Sequence, residues 1–372
     1  MTLSRKYAIA SKHAPRILVR ATNWVGDSVM SMPAVQRLRE LEPNAHIALL
    51  CPAKLRDIWR HNPFLSEAIA FDPLPDVGYL RKQRYDVAVI FPNSFRSAWE
   101  AWRARIPCRV GFEGHWRKRL LTDVVLEPES EQPREKQITV NTTTFPVKYY
   151  PSLRHQSQRY LDIISYLGGN REFVQPRIWL APGEVPELTK FVRDDSRLFI
   201  GINAGAEYGP AKRWMPARFA ETALRVAEEI PCRWLLFGGA GDTALAAEIE
   251  SRMREKIKDP DEIVNLAGRT SLMELCQLLK VCRLLLTNDT GPMHLADAMG
   301  TPVVALFGST SAELTGPMLP LSRVVHEPVE CSPCFLRECP IDFRCMERIT
   351  VDRVVRTVFE AWETAGKARP RP

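Results

Sequence analysis

The feature that most constrains this chain is an alternation that runs through it twice. A short, almost wholly apolar run is followed by a turn and then by a stretch with apolar residues at helical spacing. The runs at 16–21, 46–50 and 86–91 predict strands covered on both faces, because a strand with one wet face would alternate polar and apolar residues. Helical patterns follow them at 28–41, 53–61 and 94–105. From 198 onward the alternation is cleaner, with strands predicted at 198–203, 233–237, 262–266, 283–287 and 302–307. Helices are predicted between them at 217–230, 243–256, 271–280 and 293–299. Strands joined by helical crossovers run parallel. The expected fold class is therefore α/β, two Rossmann-like doubly wound domains facing across a cleft, with ligands at the carboxyl ends of the strands.

The expected domains are 16–180 and 196–348, with Pro176, Pro182 and Pro186 marking a linker over 176–195. The stretch 103–151 is basic, aromatic and proline-bearing, and it reads as loops on the rim of the first domain. Near the end, Val351, Val354, Val355, Val358 and Trp362 form an apolar helical stripe that needs a surface to cover.

A chain of 372 residues fits two domains, and 45% hydrophobic with 26% charged residues excludes a disordered, collagen-like or disulfide-miniprotein chain. No apolar run approaches the roughly 20 residues of a membrane span. Residues 1–15 are polar and basic and lack the apolar region of a secretory signal, so a cytoplasmic protein is expected. The excess of 51 basic over 44 acidic residues, +7, suits nucleotide phosphate, an anionic membrane surface or nucleic acid, or serves solubility alone. Nine cysteines, an odd number, cannot all pair within the chain, and no disulfide framework is expected.

Several turns combine residues able to carry chemistry. Thr22-Asn23-Trp24-Val25-Gly26-Asp27 follows the first strand, and Asp27 there is either a general base for a hydroxyl nucleophile or a helix N-cap. The turn Asn203–Trp214 joins glycine flexibility to Lys212 and Arg213, which could neutralise a diphosphate or be solvated loop charges. It is neither a P-loop nor a dinucleotide fingerprint. In Thr287–His294 a helix start offers backbone N–H groups, the Thr290 hydroxyl and close approach at Gly291 to a phosphate. Asp289 there would repel phosphate, so it accepts from a hydroxyl or organises the loop, while His294 either donates or packs. Phe237-Gly238-Gly239-Ala240-Gly241-Asp242 places an acid where it could accept from a ribose, or cap a helix. Cys331, Cys334, Cys339 and Cys345 have thiol chemistry for zinc, but their spacer is short for a zinc finger or ribbon, and buried or unpaired thiols are the favoured reading. A basic and aromatic stretch (Arg96, Trp99, Trp102, Arg103, Arg105, Arg109, His115, Trp116, Arg117, Lys118, Arg119) fits an acidic sugar-bearing acceptor, nucleic acid, or a solvated face.

Five of these segments occur in an order that resembles glycosyltransferase family 9. They are Val25-Gly26-Asp27 with the helix after it, Phe91–Arg96, Gly205–Trp214, Asn288–Ala296 and Pro333-Cys334-Phe335-x3-Cys339-Pro340; the likeness spans about residues 16–360. The resemblance implies a GT-B fold, with an acceptor-binding N-terminal domain, an ADP-sugar-binding C-terminal domain and the segment 349–365 packing back on the N-terminal domain. It implies inverting, metal-independent transfer of heptose from ADP-L-glycero-D-manno-heptose to the first heptose of a Kdo-lipid A-linked lipopolysaccharide core. It gives Asp27 and Lys212 the catalytic roles and Asp242, Asp289, Thr290, Gly291 and His294 the donor site; Arg96 and Arg117 become acceptor candidates. No cofactor, no metal and no nucleic-acid partner follow from it. A monomer, peripheral at the inner face of the inner membrane, is expected. The alternatives are another family 9 heptosyltransferase with a different core acceptor, or a non-catalytic nucleotide- or nucleic-acid-binding protein. Residues 127–150 depart from the family pattern.

Overall fold

The computed structural model of the chain describes residues 14–114, 116–181 and 198–368. These fall into two compact units. One holds the described residues up to Gln132 together with Arg154–Ala181; the other holds Pro133–Leu153 together with those from Leu198 on.

The first unit is built on six parallel strands: β1 (Arg16–Arg20), β2 (His46–Pro52), β3 (Glu67–Phe71), β4 (Val87–Ile90), β5 (Cys108–Phe112) and β6 (Asp123–Val125). Their order is β3-β2-β1-β4-β5-β6. Arg16 stands opposite His46 on one side of β1, and Ile17 stands opposite Val87 on the other. Ile17, Val19, Ile47, Leu49, Val87 and Val89 are fully buried, as continuous apolar runs require. β3, β5 and β6 were not foreseen. β3 is only half-buried and β6 is three residues long, so neither carries the run that announces a central strand.

The second unit begins with an antiparallel hairpin, β7 (Arg134–Val140) and β8 (Thr143–Tyr149), in which Arg134 pairs with Tyr149. It continues with β9 (Leu198–Asn203), β10 (Cys232–Phe237), β11 (Ile263–Asn265), β12 (Cys282–Asn288), β13 (Val303–Phe307) and β14 (Arg323–His326). These six are parallel and ordered β11-β10-β9-β12-β13-β14, the same order as the first sheet. The fold class is therefore the expected one, α/β with two Rossmann-like doubly wound units. In each sheet the strand order reverses beside the first strand, between β1 and β4 and between β9 and β12, where an open α/β sheet leaves room for a ligand.

Two segments pack differently from expectation. The hairpin lies in the stretch read as rim loops of the first domain, yet Val140, Phe145 and Val147 are buried in the core cluster of the second unit. The Lys148 N–H donates to the Cys334 carbonyl at 3.2 Å, and the Tyr150 and Phe335 rings meet edge-on at 5.1 Å. The terminal helix Val351–Ala368 was expected on the first domain. It packs instead on the Pro216–Glu229 helix and on β12, β13 and β14 of its own unit. Val354, Val355, Val358 and Ala361 are buried there, each valine contributing about 1.5–3 kcal/mol of transfer free energy. Of the expected linker, residues 182–195 lie outside the described residues, as do residues 1–13 of the N-terminal tail.

Candidate active site: two strand-order reversals of opposite charge

At the first reversal the chain leaves β1 and enters the Val25–Leu41 helix within a few residues. Trp24 is the N-cap, with no side-chain capping bond, and Asp27 lies in the first helical turn. Asp27 is thus not the cap. Its Oδ1 accepts from Gln156 Nε2 and, at 3.2 Å, from the Tyr160 hydroxyl. Both donors sit on the Gln156–Tyr166 helix, one turn apart, and that helix packs along the Val25–Leu41 helix. Burial, and then the Asp27 charge, push the Tyr160 hydroxyl well above its ordinary pKa, so it stays protonated and donates. Donors aimed at the ionised carboxylate, together with a helix N-terminus, stabilise that charge. Neither Gln156 nor Tyr160 was foreseen; they lie 129 and 133 residues from Asp27, and only helix-on-helix packing brings them in.

Asp27 forms part of the wall of a cavity of about 200 Å³ lined also by Thr22, Asn23, Trp24, Phe91, Asn93 and Arg159. A larger cavity of about 630 Å³ shares Asn23 and Trp24 with it. Lys54 and Arg96 line that second cavity and have no ion-pair partner among the described residues, whereas Arg20 is neutralised by Glu100 at 2.8 Å. The Lys54 ammonium stands 5.8 Å over the Trp24 ring. Asp72 is the exposed carboxylate in the same lining.

Arg117 does not join Arg96 at this surface. It is fully buried and donates to the Pro92 carbonyl and, at 3.3 Å, to the Ser94 carbonyl. Burial lowers its pKa to about 10. Its guanidinium packs against Gly111, where a Cβ would collide with Nη2. Arg117 therefore braces the loop after β4 from inside. His115 lies outside the described residues.

At the second reversal, backbone and amide groups lock the two turns together. Asn288 Nδ2 donates to the Ala204 carbonyl at 2.7 Å, and the Trp214 N–H donates to Asn288 Oδ1 at 3.1 Å. Against that frame Lys212 Nζ meets Asp289 Oδ2 at 2.5 Å, and the Thr310 hydroxyl donates to the same oxygen at 2.6 Å. Asp289 is 4% exposed, so it acts as the anchor of Lys212. An ammonium has three donors, and Asp289 takes one. Lys212 also lies 4.9 Å over the Tyr208 ring. Tyr208 is itself fixed by its hydroxyl to the Phe335 carbonyl at 2.8 Å. Gly209 is needed there, because a Cβ would meet the Arg337 carbonyl.

Beyond Asp289, Thr290 is the N-cap of the Gly291–Ala298 helix, but its side chain makes no capping bond. Its hydroxyl is therefore not spent on its own helix, while the Met293 N–H of the first turn donates to the Thr290 carbonyl at 3.1 Å. His294 is buried within that helix, 3% exposed. Asp242 closes the short Ala240–Asp242 helix that follows β10, one sheet position away. It precedes the Thr243–Arg254 helix yet makes no side-chain capping bond to it; its Oδ2 accepts from the Gly239 N–H at 3.0 Å, and its Oδ1 is 3.8 Å from Arg213. The carboxylate fills the space where Gly205 lacks a Cβ.

Three of the four clustered cysteines belong to the core of the second unit, and Cys339 is half-buried beside them in sequence. Cys331, Cys334 and Cys345 are buried in it, and burial raises all three thiol pKa values, that of Cys345 to about 12. No group of three His, Cys, Asp or Glu side chains arranged to hold a metal ion occurs among the described residues.

The comparisons with known proteins agree on one assignment. The model of the family described as glycosyltransferase family 9 (heptosyltransferase) matches residues 78–343. The chain is 32% identical over 329 residues, 84% of its length and 88% of the relative's, to lipopolysaccharide heptosyltransferase 2 of Escherichia coli K12. The solved structure of E. coli ADP-heptose lps heptosyltransferase II superposes with a TM-score of 0.77 at 29% identity, covering 94% of this chain and 98% of that one. A family 9 glycosyltransferase of Veillonella parvula gives 0.74 at 21% identity over 94% of this chain and 98% of its own, a likeness of fold. The fold is GT-B, and the chain belongs to glycosyltransferase family 9, the heptosyltransferases.

Proposed function

We propose that the protein transfers heptose from ADP-L-glycero-D-manno-heptose to the first heptose of a lipopolysaccharide inner core, with inversion and without a divalent metal. One observation carries the reading: Asp27 holds its charge on two side-chain donors at a cavity wall instead of capping its helix. A carboxylate so placed takes the proton from an acceptor hydroxyl as that oxygen attacks the anomeric carbon. The sugar–phosphate bond breaks and ADP leaves with added negative charge. Lys212, fixed by Asp289, meets that charge together with the Thr290 hydroxyl and the start of the Gly291–Ala298 helix. Asp242 accepts from the ribose hydroxyls. Lys54 and Arg96, without an ion-pair partner among the described residues, receive anionic groups of the acceptor. The names of the relatives, lipopolysaccharide heptosyltransferase 2 and ADP-heptose lps heptosyltransferase II, support the choice of donor and acceptor.

The test is incubation with ADP-L-glycero-D-manno-heptose, in EDTA, with a panel of truncated lipopolysaccharide cores, and product mass as the readout. A single added heptose on the core that already carries one is expected. Transfer only to a heptose-free core, or only after divalent metal is restored, overturns the reading.

A further inference from the structure

We propose that Arg337 is a second cation of the donor site and binds the distal phosphate of the sugar nucleotide, the one bonded to the sugar. This rests on the donor assignment made above and extends it to the segment Pro333–Pro340, which that assignment leaves without a role. The segment follows β14 and lies against the turn after β9. The Arg337 carbonyl accepts from the Ala211 N–H at 3.1 Å, and Arg337 Nε donates to the Tyr208 carbonyl at 2.8 Å. Tyr208 in turn donates its hydroxyl to the Phe335 carbonyl. Gly209, without a Cβ, lets the two stretches of backbone meet. The Arg337 guanidinium stands 5.2 Å from the centroid of the Tyr208 ring, and the Lys212 ammonium stands 4.9 Å from the same centroid. One aromatic ring therefore holds both cations.

Charge decides what Arg337 can do there. Lys212 is matched by Asp289 at 2.5 Å, and Arg213 stands 3.8 Å from Asp242, so neither pair brings net positive charge to the site. A sugar diphosphate carries a negative charge on each phosphate. In the metal-independent reaction proposed above, more develops as ADP departs. Arg337 is exposed and has no ion-pair partner among the described residues; the exposed acids Glu338, beside it, and Glu207, beside Tyr208, do not pair with it. A guanidinium has five N–H donors in a rigid fork. Nε is spent on the Tyr208 carbonyl, which fixes the fork, and Nη1 and Nη2 remain for two phosphate oxygens. The strand order assigns which phosphate. Asp242, the ribose partner, follows β10, and Lys212 follows β9. The 333–340 segment is tied to the turn after β13, where the Ser309 carbonyl accepts from the Cys334 and Phe335 N–H groups at 3.1 and 2.7 Å. A donor with its ribose at β10 runs across the sheet toward β13, and the phosphate that bears the sugar comes last.

Calorimetric titration of the full chain with ADP and with AMP, in EDTA, tests it. The parent is expected to bind ADP more tightly than AMP. Arg337→Gln keeps an N–H for the Tyr208 carbonyl and removes the charge. It is expected to weaken ADP binding about tenfold, leave AMP affinity unchanged and lower kcat/KM for the sugar nucleotide by about the same factor as ADP. Arg337→Lys keeps the charge without the fork and is expected to weaken ADP about threefold. It decides the matter should the glutamine variant lose its folded thermal transition, and undiminished ADP binding by it then overturns the proposal. The same substitution made on Lys212→Ala separates contact from support: a direct contact still weakens ADP there. A loss seen only when Lys212 is present means that Arg337 acts through the lysine, and overturns the proposal. So does an equal loss of ADP and AMP, or no loss of either. If the parent prefers ADP and the arginine variants keep that preference, the assignment of Arg337 alone falls. If the parent binds neither nucleotide, the donor site falls and this proposal with it.

Discussion

The two sheets have one strand order and two different sites. At the β1/β4 reversal the key group is an anion, Asp27, held by two side chains from a helix more than a hundred residues away. At the β9/β12 reversal it is a cation, Lys212, held by a buried carboxylate from the turn directly beside it. The first site has cavity space walled by Trp24 and Phe91; the second is a tight lattice of amides and one ion pair. In the proposed mechanism the same scaffold provides a proton acceptor in one unit and a stabiliser of departing negative charge in the other. The difference lies in the residues that follow the strands and, for Asp27, in the helix that packs against them.

The sharpest way to break this contrast is Asp27→Asn. Transfer is expected to fall about 10³-fold in kcat, while ADP still raises the thermal midpoint as in the parent. If the midpoint of the unliganded protein collapses instead, the carboxylate serves the fold and not the reaction.

Lys212→Ala comes next. A loss of about 10²-fold in kcat/KM is expected, with the thermal shift by ADP reduced. The unliganded protein should also lose stability, because Asp289 is left buried without its cation. Adding Asp289→Ala is expected to restore stability but not turnover. Recovery of both would remove the pair from the donor site.

Replacing Lys54 and Arg96 together by alanine is expected to raise the acceptor KM about tenfold with the donor KM unchanged. An effect on the donor alone would contradict the assignment of that cavity. The smallest effect is expected of Tyr160→Phe, which deletes one of the donors to Asp27. Losing a hydrogen bond to the ionised carboxylate favours its protonated form, so the acid limb of the pH–rate profile should move to higher pH. The rate on the plateau should fall only a few-fold. An unmoved limb would make Tyr160 a packing residue.

Much of this contrast was legible in the chain. The central strands announce themselves because both faces are covered, and the turns after them carry Asp27, Lys212, Asp289 and Thr290 in readable positions. The half-buried edges do not: β3 shows one exposed and four partly buried residues, and β8 alternates over too short a span to stand out among basic loops. Asp27 was visible, but its partners on the Gln156–Tyr166 helix were not, since local spacing does not encode which helices meet. Arg117 read as a surface cation because it sits in a basic run; nothing local shows that the loop folds it inward. The stripe on the terminal helix announced a need for cover without naming the cover.

The β7–β8 hairpin has a consequence for how the polypeptide is made. Its sequence is complete long before β9 is translated, yet Phe145 and Val147 find their core only among residues from beyond 198. A nascent chain that has emerged as far as Ala181 therefore carries a ribbon with no apolar home, held in waiting while the second sheet is synthesised. A fragment cut there inherits the same defect as a sticky flap. Expressing the two halves separately succeeds only if residues 133–153 travel with the later half, as a circular permutation or insertion would allow.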